Sequence, residues 1–146
     1  MNKALFLDRD GVINVDVGYA HLPEQITFVA GIFDVCRTAV VQGYQLIIVT
    51  NQSGIGRGYY SEEQFHVLMQ WMSKEFEKEG CPLTAYYHCP HTPDDGCECR
   101  KPKAGMILQA AKDHALNLSA SMLIGDKESD IEAGKTAGVG ECRLVG

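Results

Sequence analysis

Cys89-Pro90-His91 and, after five residues, Cys97-Glu98-Cys99 put three thiols and an imidazole into eleven residues. That donor set completes a tetrahedral zinc site and leaves no open position for catalysis, so its expected job is structural. It would pin an irregular loop too short to bury a core of its own. Unligated thiols at this density would oxidise readily, which makes accidental clustering a poor explanation. The loop runs directly into Arg100-Lys101-Pro102. Held in one shape and ending in two cations, it suits an anion.

Near the other end, Phe6-Leu7-Asp8-Arg9-Asp10-Gly11 reads as a buried strand that stops at two carboxylates and a glycine. Asp8 suits a nucleophile, and Asp10 an acid that protonates the leaving oxygen and later activates water. Asp8 and Asp126 offer hard oxygen ligands for Mg²⁺, which also neutralises a phosphoryl group. Thr50-Asn51-Gln52-Ser53-Gly54 supplies a hydroxyl and consecutive N–H groups able to cradle phosphate oxygens. Lys101 would balance charge on that phosphoryl, and Arg100 would recognise another part of the substrate. Gly125-Asp126-Lys127-Glu128-Ser129-Asp130 adds a metal carboxylate at Asp126 and a second carboxylate at Asp130.

Each motif has a plainer alternative. Asp-x-Asp-Gly is a common strand-to-turn signal, and the Asn51 segment suits an Asx-type turn. Arg100 and Lys101 are otherwise solvated cations, and Ser129 or Asp130 a helix cap. Gly54, Gly56 and Gly58 form no dinucleotide fingerprint, because the spacing is wrong and Arg57 interrupts it. Of the histidines outside the cysteine cluster, His66, His88 and His114 read as structural; only His21, after the first strand, is placed to touch substrate.

The elements that must position these residues alternate along the chain. Strands are expected at Ala4–Asp8, Gln45–Thr50, Thr84–Cys89, Met122–Ile124 and Glu141–Val145. Helices are expected at Gly31–Gln42, from Ser61 with Gln64 completing a capping box, at Ala104–Ala115 and at Asp130–Ala137. Phe65, Leu68, Met69, Met72 and Phe76 make one helical face, read as core. Regular alternation predicts an α/β fold, a Rossmann-like parallel sheet with helices on both faces, as one domain over residues 1–146. In such sheets ligands bind beyond the carboxyl ends of the strands, and all the polar motifs lie on loops leaving those ends.

Composition narrows the function further. The formal charge of −6 disfavours a nucleic-acid partner. No apolar run approaches a membrane span, and the N-terminus lacks a secretory pattern, which predicts a cytoplasmic protein with no membrane partner. Cys36, Cys81 and Cys142 are scattered, so reduced thiols with one metal site are expected rather than a disulfide framework. Arg9, Arg57, Arg100, Lys101, Lys103 and Lys127 concentrate positive charge in or beside the loops, where a phosphate would need it.

Asp8-Arg9-Asp10-Gly11-Val12, Thr50-Asn51, Lys101 and Gly125-Asp126-Lys127 with Asp130 together resemble the haloacid-dehalogenase-like phosphatase superfamily, from about Ala4 to Gly138. The Asn-Gln-Ser-Gly-Ile loop, the zinc loop joined to Arg-Lys-Pro, and Gly-Asp-Lys are similar to its D-glycero-D-manno-heptose 1,7-bisphosphate 7-phosphatase branch. The resemblance implies Asp8 as nucleophile, Asp10 as general acid/base, and Thr50 and Lys101 as phosphoryl stabilisers. Mg²⁺ would sit on the Asp8 carboxylate, the Asp10 carbonyl and Asp126, and zinc on Cys89, His91, Cys97 and Cys99. Asp16, Gly18, Tyr19, Asn51, Gln52, Ser53, Arg100 and Lys127 match substrate-contacting positions.

A monomer is expected. The same resemblance implies action on a small phosphorylated sugar in the supply of heptose for cell-surface polysaccharide such as lipopolysaccharide. Gly11–Gly43 is too short for a separate cap, so a capless site is expected. The chain also stops at Gly146, short of a further strand or helix that many members carry. Histidinol-phosphate phosphatases share the aspartate pair and the zinc loop but usually carry arginine in place of Lys127. A zinc-stabilised binding module without catalysis is the rival of another class; the presence of Asp8, Asp10, Thr50, Lys101 and Asp126 argues against it.

Overall fold

The computed structural model describes residues Met1–Gly146. Five strands, β1 (Lys3–Leu7), β2 (Tyr44–Asn51), β3 (Leu83–Cys89), β4 (Met122–Gly125) and β5 (Glu141–Leu144), form one sheet of order β3-β2-β1-β4-β5. Every adjacent pair is parallel. The helices are α1 (Ile32–Val41), a single turn α2 (Ser53–Gly56), α3 (Glu62–Lys78), α4 (Gly105–His114) and α5 (Glu128–Ala137). The expected parallel sheet is therefore present, with element ends displaced by one or two residues and the turn α2 added.

Side chains alternate across the strands, so the sheet divides the core in two. Leu5, Leu7, Leu46 and Ile48 face one layer with Ile32 and Cys36 of α1 and Phe65, Met69, Met72 and Phe76 of α3. Ala4, Phe6, Ile47, Val49 and Leu123 face the other, with Met106, Ile107 and Ala110 of α4 and Ile131 and Ala133 of α5. The α3 stripe is wholly buried, as its spacing predicts. The helix begins where Ser61 Oγ accepts from Gln64 N and Gln64 Oε1 accepts from Ser61 N, satisfying two otherwise unpaired backbone donors.

The chain leaves β1 toward β2 on one side, and β4 lies on the other. A crevice therefore opens between the carboxyl ends of β1 and β4, the place where open α/β sheets bind ligands. Asp8 follows β1 and Asp126 follows β4.

Candidate active site

A cleft of about 600 Å³ lies over the carboxyl ends of the strands. Of the residues expected at the active site, all line it except Thr50, buried just beneath, and Asp126, which joins Asp8 and Asp130 in a group of carboxylates whose oxygens lie within 4.8 Å of one another. Arg57, Lys103 and His21 do not line it. His21 stacks on Tyr60 at 5.0 Å and lines a separate depression instead of the cleft. A loop position alone does not aim a side chain.

Asp8 is buried and ion-paired. Lys101 Nζ donates to Asp8 Oδ1 at 3.0 Å and to the Val49 carbonyl at 3.0 Å, and approaches Asp130 Oδ1 at 2.5 Å. Burial pushes the Asp8 carboxyl up to about 7; Lys101 opposes this, while Asp130 and Asp10 add to it. Further positive charge beside Asp8 would favour the ionised form that a nucleophile needs.

Asp10 is held by a different set. Arg9, fully buried, reaches both of its oxygens through Nη2 at 3.0 and 3.1 Å, and anchors itself on the Ala20 carbonyl. Asn14 Nδ2 donates to Oδ1 at 3.0 Å and Gln52 Nε2 to Oδ2 at 3.1 Å. Gln52 also donates to Thr50 Oγ1 at 2.9 Å, and its Oε1 accepts from Tyr60 Oη. Burial raises the Tyr60 phenol to about 12, which keeps it a neutral donor. Both ends of Gln52 are thus engaged inside the protein. Its place is to connect Thr50 to Asp10.

Sequence pattern gives no role to Asn14 or Tyr60; Arg9, expected among the cations for a phosphate, is instead engaged by Asp10 and does not line the cleft, and Asp130 is present as the expected second carboxylate. Asp130 caps α5 by accepting from Asp126 N and Lys127 N at 3.1 Å, as its helix-start position suggests, and pairs with Lys101 as well. Gly125 makes this possible, since a Cβ there would lie 2.2 Å from Asp130 Cβ. The reciprocal contacts Lys101 N to Asn51 Oδ1 (3.0 Å) and Asn51 Nδ2 to the Lys101 carbonyl (3.4 Å) latch two loops together.

The donor chemistry fits a hard cation at Asp8 and Asp126. Asp126 Oδ1 is buried without a hydrogen-bond partner, an unsatisfied carboxylate oxygen of the kind Mg²⁺ takes. Gly11 faces it with φ +94°, and a Cβ there would lie 2.0 Å from Asp126 Oδ2. The space is kept open by the lack of a side chain.

At the cysteine loop, Cys89 Sγ lies 3.4 Å from His91 Nδ1 and 3.5 Å from Cys97 Sγ, and His91 Nδ1 lies 3.3 Å from Cys99 Sγ. Zinc bonds of about 2.3 Å to sulfur and 2.0 Å to nitrogen give tetrahedral edges of roughly 3.5 Å, so these contacts fit the ion. Cys89 and Cys99 close the group, with Cα atoms 5.6 Å apart, and the ligand atoms of all four residues lie within 4.8 Å of one another. The loop bears on the site through Gln52 N to the Cys89 carbonyl at 2.8 Å and Gly56 N to the Pro90 carbonyl at 2.9 Å.

The chain is similar to known proteins. A HAD-hydrolase-like family model matches residues 98–143. The D-glycero-alpha-D-manno-heptose-1,7-bisphosphate 7-phosphatase of Burkholderia mallei is 52% identical, over 99% of this chain and 80% of its own. The D-glycero-beta-D-manno-heptose-1,7-bisphosphate 7-phosphatase of Helicobacter pylori is 51% identical, over 94% of this chain and 80% of its own. The crystal structure of D,D-heptose 1,7-bisphosphate phosphatase from B. bronchiseptica, complexed with magnesium and phosphate, superposes with a TM-score of 0.88 at 31% identity. It covers 95% of this chain and 78% of that one.

Proposed function

We propose that this chain, which belongs to the D-glycero-D-manno-heptose 1,7-bisphosphate 7-phosphatase family of haloacid-dehalogenase-like hydrolases, removes the 7-phosphate of the heptose bisphosphate. The observation that carries the reading is the pairing of a buried Asp8 on Lys101 with a separately held Asp10 across one cleft.

Asp8, the Asp10 carbonyl and Asp126 would hold Mg²⁺. When bound it supplies positive charge that neutralises the phosphoryl oxygens and favours ionised Asp8. An Asp8 oxygen attacks phosphorus and forms an acyl phosphate as the bond to the sugar oxygen breaks. Asp10 gives its proton to that oxygen, then takes one from the water that hydrolyses the acyl phosphate. Thr50 and Lys101 stabilise the transferred group. Arg100 and Lys127 offer charge to the rest of the substrate from the cleft wall. Zinc on Cys89, His91, Cys97 and Cys99 would hold the arm that ends in Arg100 and Lys101.

On this reading the chain acts as one monomeric domain in the cytoplasm. No helix is long and apolar enough to cross a membrane. Relatives named for the alpha and the beta anomer are almost equally similar, so both anomers belong in the test. Phosphate release is expected to be fastest with a heptose 1,7-bisphosphate. Faster release from histidinol phosphate would overturn the substrate assignment.

A further inference from the structure

Outside the cleft, the sheet edge carries a second group of metal-competent side chains that the phosphatase chemistry does not use. Glu62 opens α3, His66 stands one turn later, and His88 sits on the edge strand β3. Their ligand atoms lie within 4.8 Å of one another. Glu62 Oε2 is 2.7 Å from His88 Nε2 and 3.6 Å from His66 Nε2. Donors around one ion with bonds of about 2.0–2.2 Å lie roughly 3.0–3.5 Å apart, so small rotations of these side chains would converge them on one point.

We propose that Glu62, His66 and His88 form a surface binding site for a divalent zinc-class ion. The donor set, two imidazoles and one carboxylate, suits zinc or nickel better than magnesium, which prefers oxygen ligands. His66 already has the arrangement of a ligating histidine. Its Nδ1 lies 2.7 Å from Tyr86 Oη, so with the Nδ1 proton donated to that hydroxyl the Nε2 lone pair points to Glu62 and is free for the ion. His88 is the more buried, 17% exposed, and packs on Phe65 at 4.3 Å. One ligand is therefore fixed by the core, and the two on α3 close onto it.

The location gives the site a consequence. His88 pairs in register with Thr50 and precedes Cys89, so β3 ends with adjacent residues committed to different metal groups on opposite faces of the sheet. An ion on the Glu62 side ties the start of α3 to β3 just where that strand enters the cysteine loop.

The test is equilibrium dialysis of the whole protein against Zn²⁺ at saturating Mg²⁺, comparing wild type with His66→Gln and Glu62→Gln. The side chains changed are 44% and 48% exposed, so the core is left intact. Wild type is expected to bind one equivalent more than His66→Gln, a difference that does not depend on how the cysteine loop is occupied. Glu62→Gln should weaken that equivalent at least about ten-fold. Zinc should also raise the melting temperature of wild type more than that of His66→Gln. Equal stoichiometry in wild type and His66→Gln, or an extra equivalent held as tightly by both variants, would overturn the proposal.

Discussion

At the scale of single residues, the two carboxylates separated by Arg9 differ in what surrounds them. Asp8 meets Lys101 and the other metal-competent carboxylates, whereas Asp10 meets amides and a guanidinium that orient it. Gln52→Ala removes the amide that connects Asp10 to Thr50, so kcat is expected to fall by about 10- to 100-fold, a loss that stays at or below the roughly 100-fold lower end of what general acid catalysis contributes because Asp10 itself remains. The loss should be smaller for an aryl phosphate, whose leaving group needs little protonation. Equal losses on both substrates would assign Gln52 elsewhere. Arg100 and Lys101 are adjacent in sequence but differently engaged. Lys101 is buried on Asp8, and Arg100 touches only the His91 carbonyl at 3.4 Å. Lys101→Ala should therefore damage turnover of every phosphate ester. Arg100→Ala should damage kcat/KM for the bisphosphate far more than for an aryl phosphate, by using less of the remote binding energy. Steady-state kinetics on the two substrates reads both.

At the scale of elements, positions that sequence pattern specifies and positions that it does not are cleanly separated. The α3 stripe, the Ser61 cap and the strand runs obey local rules of period and hydrogen bonding, and the folded chain has them. Asp8, Thr50, Lys101 and Asp126 were legible because each follows or is reached from a strand's carboxyl end, where a parallel sheet gathers its loops. Asn14, Tyr60 and the turn of Arg9 onto Asp10 were not, since they depend on loop conformations that carry no periodicity. The Lys101–Asp130 pair likewise joins segments with no local pattern linking them. The cysteine loop is the element whose stability depends most on something outside the backbone. Stripping zinc with a strong chelator is expected to lower the melting temperature and the affinity for substrate together, because the released arm carries Arg100 and Lys101. Metal analysis with a thiol count checks this. Purified reduced protein with no near-stoichiometric zinc would contradict it.

At the scale of the molecule, one sheet brings three separate strand ends to one cleft. β1 delivers Asp8, β2 delivers Thr50, and β4 delivers Asp126, while the loop after β3 returns Lys101 to Asp8. With no cap domain, specificity falls to those loops and to the arm beside them. Mg²⁺ withdrawal by a weak chelator is expected to abolish turnover reversibly with little change in melting temperature, because the residues that would hold it lie on loops beyond the carboxyl ends of β1 and β4 and the core does not depend on them. The account stands or falls on where the phosphoryl group goes. Asp10→Asn should still accept it from a good leaving group and release it slowly, so the acyl phosphate should accumulate. Borohydride reduction converts such an acyl phosphate to an alcohol that mass spectrometry can locate in the peptide. The expected result is a single reduced site at Asp8, absent from protein that also carries Asp8→Asn; reduction at another carboxylate, or turnover of Asp8→Asn near the wild-type rate, would contradict the central assignment.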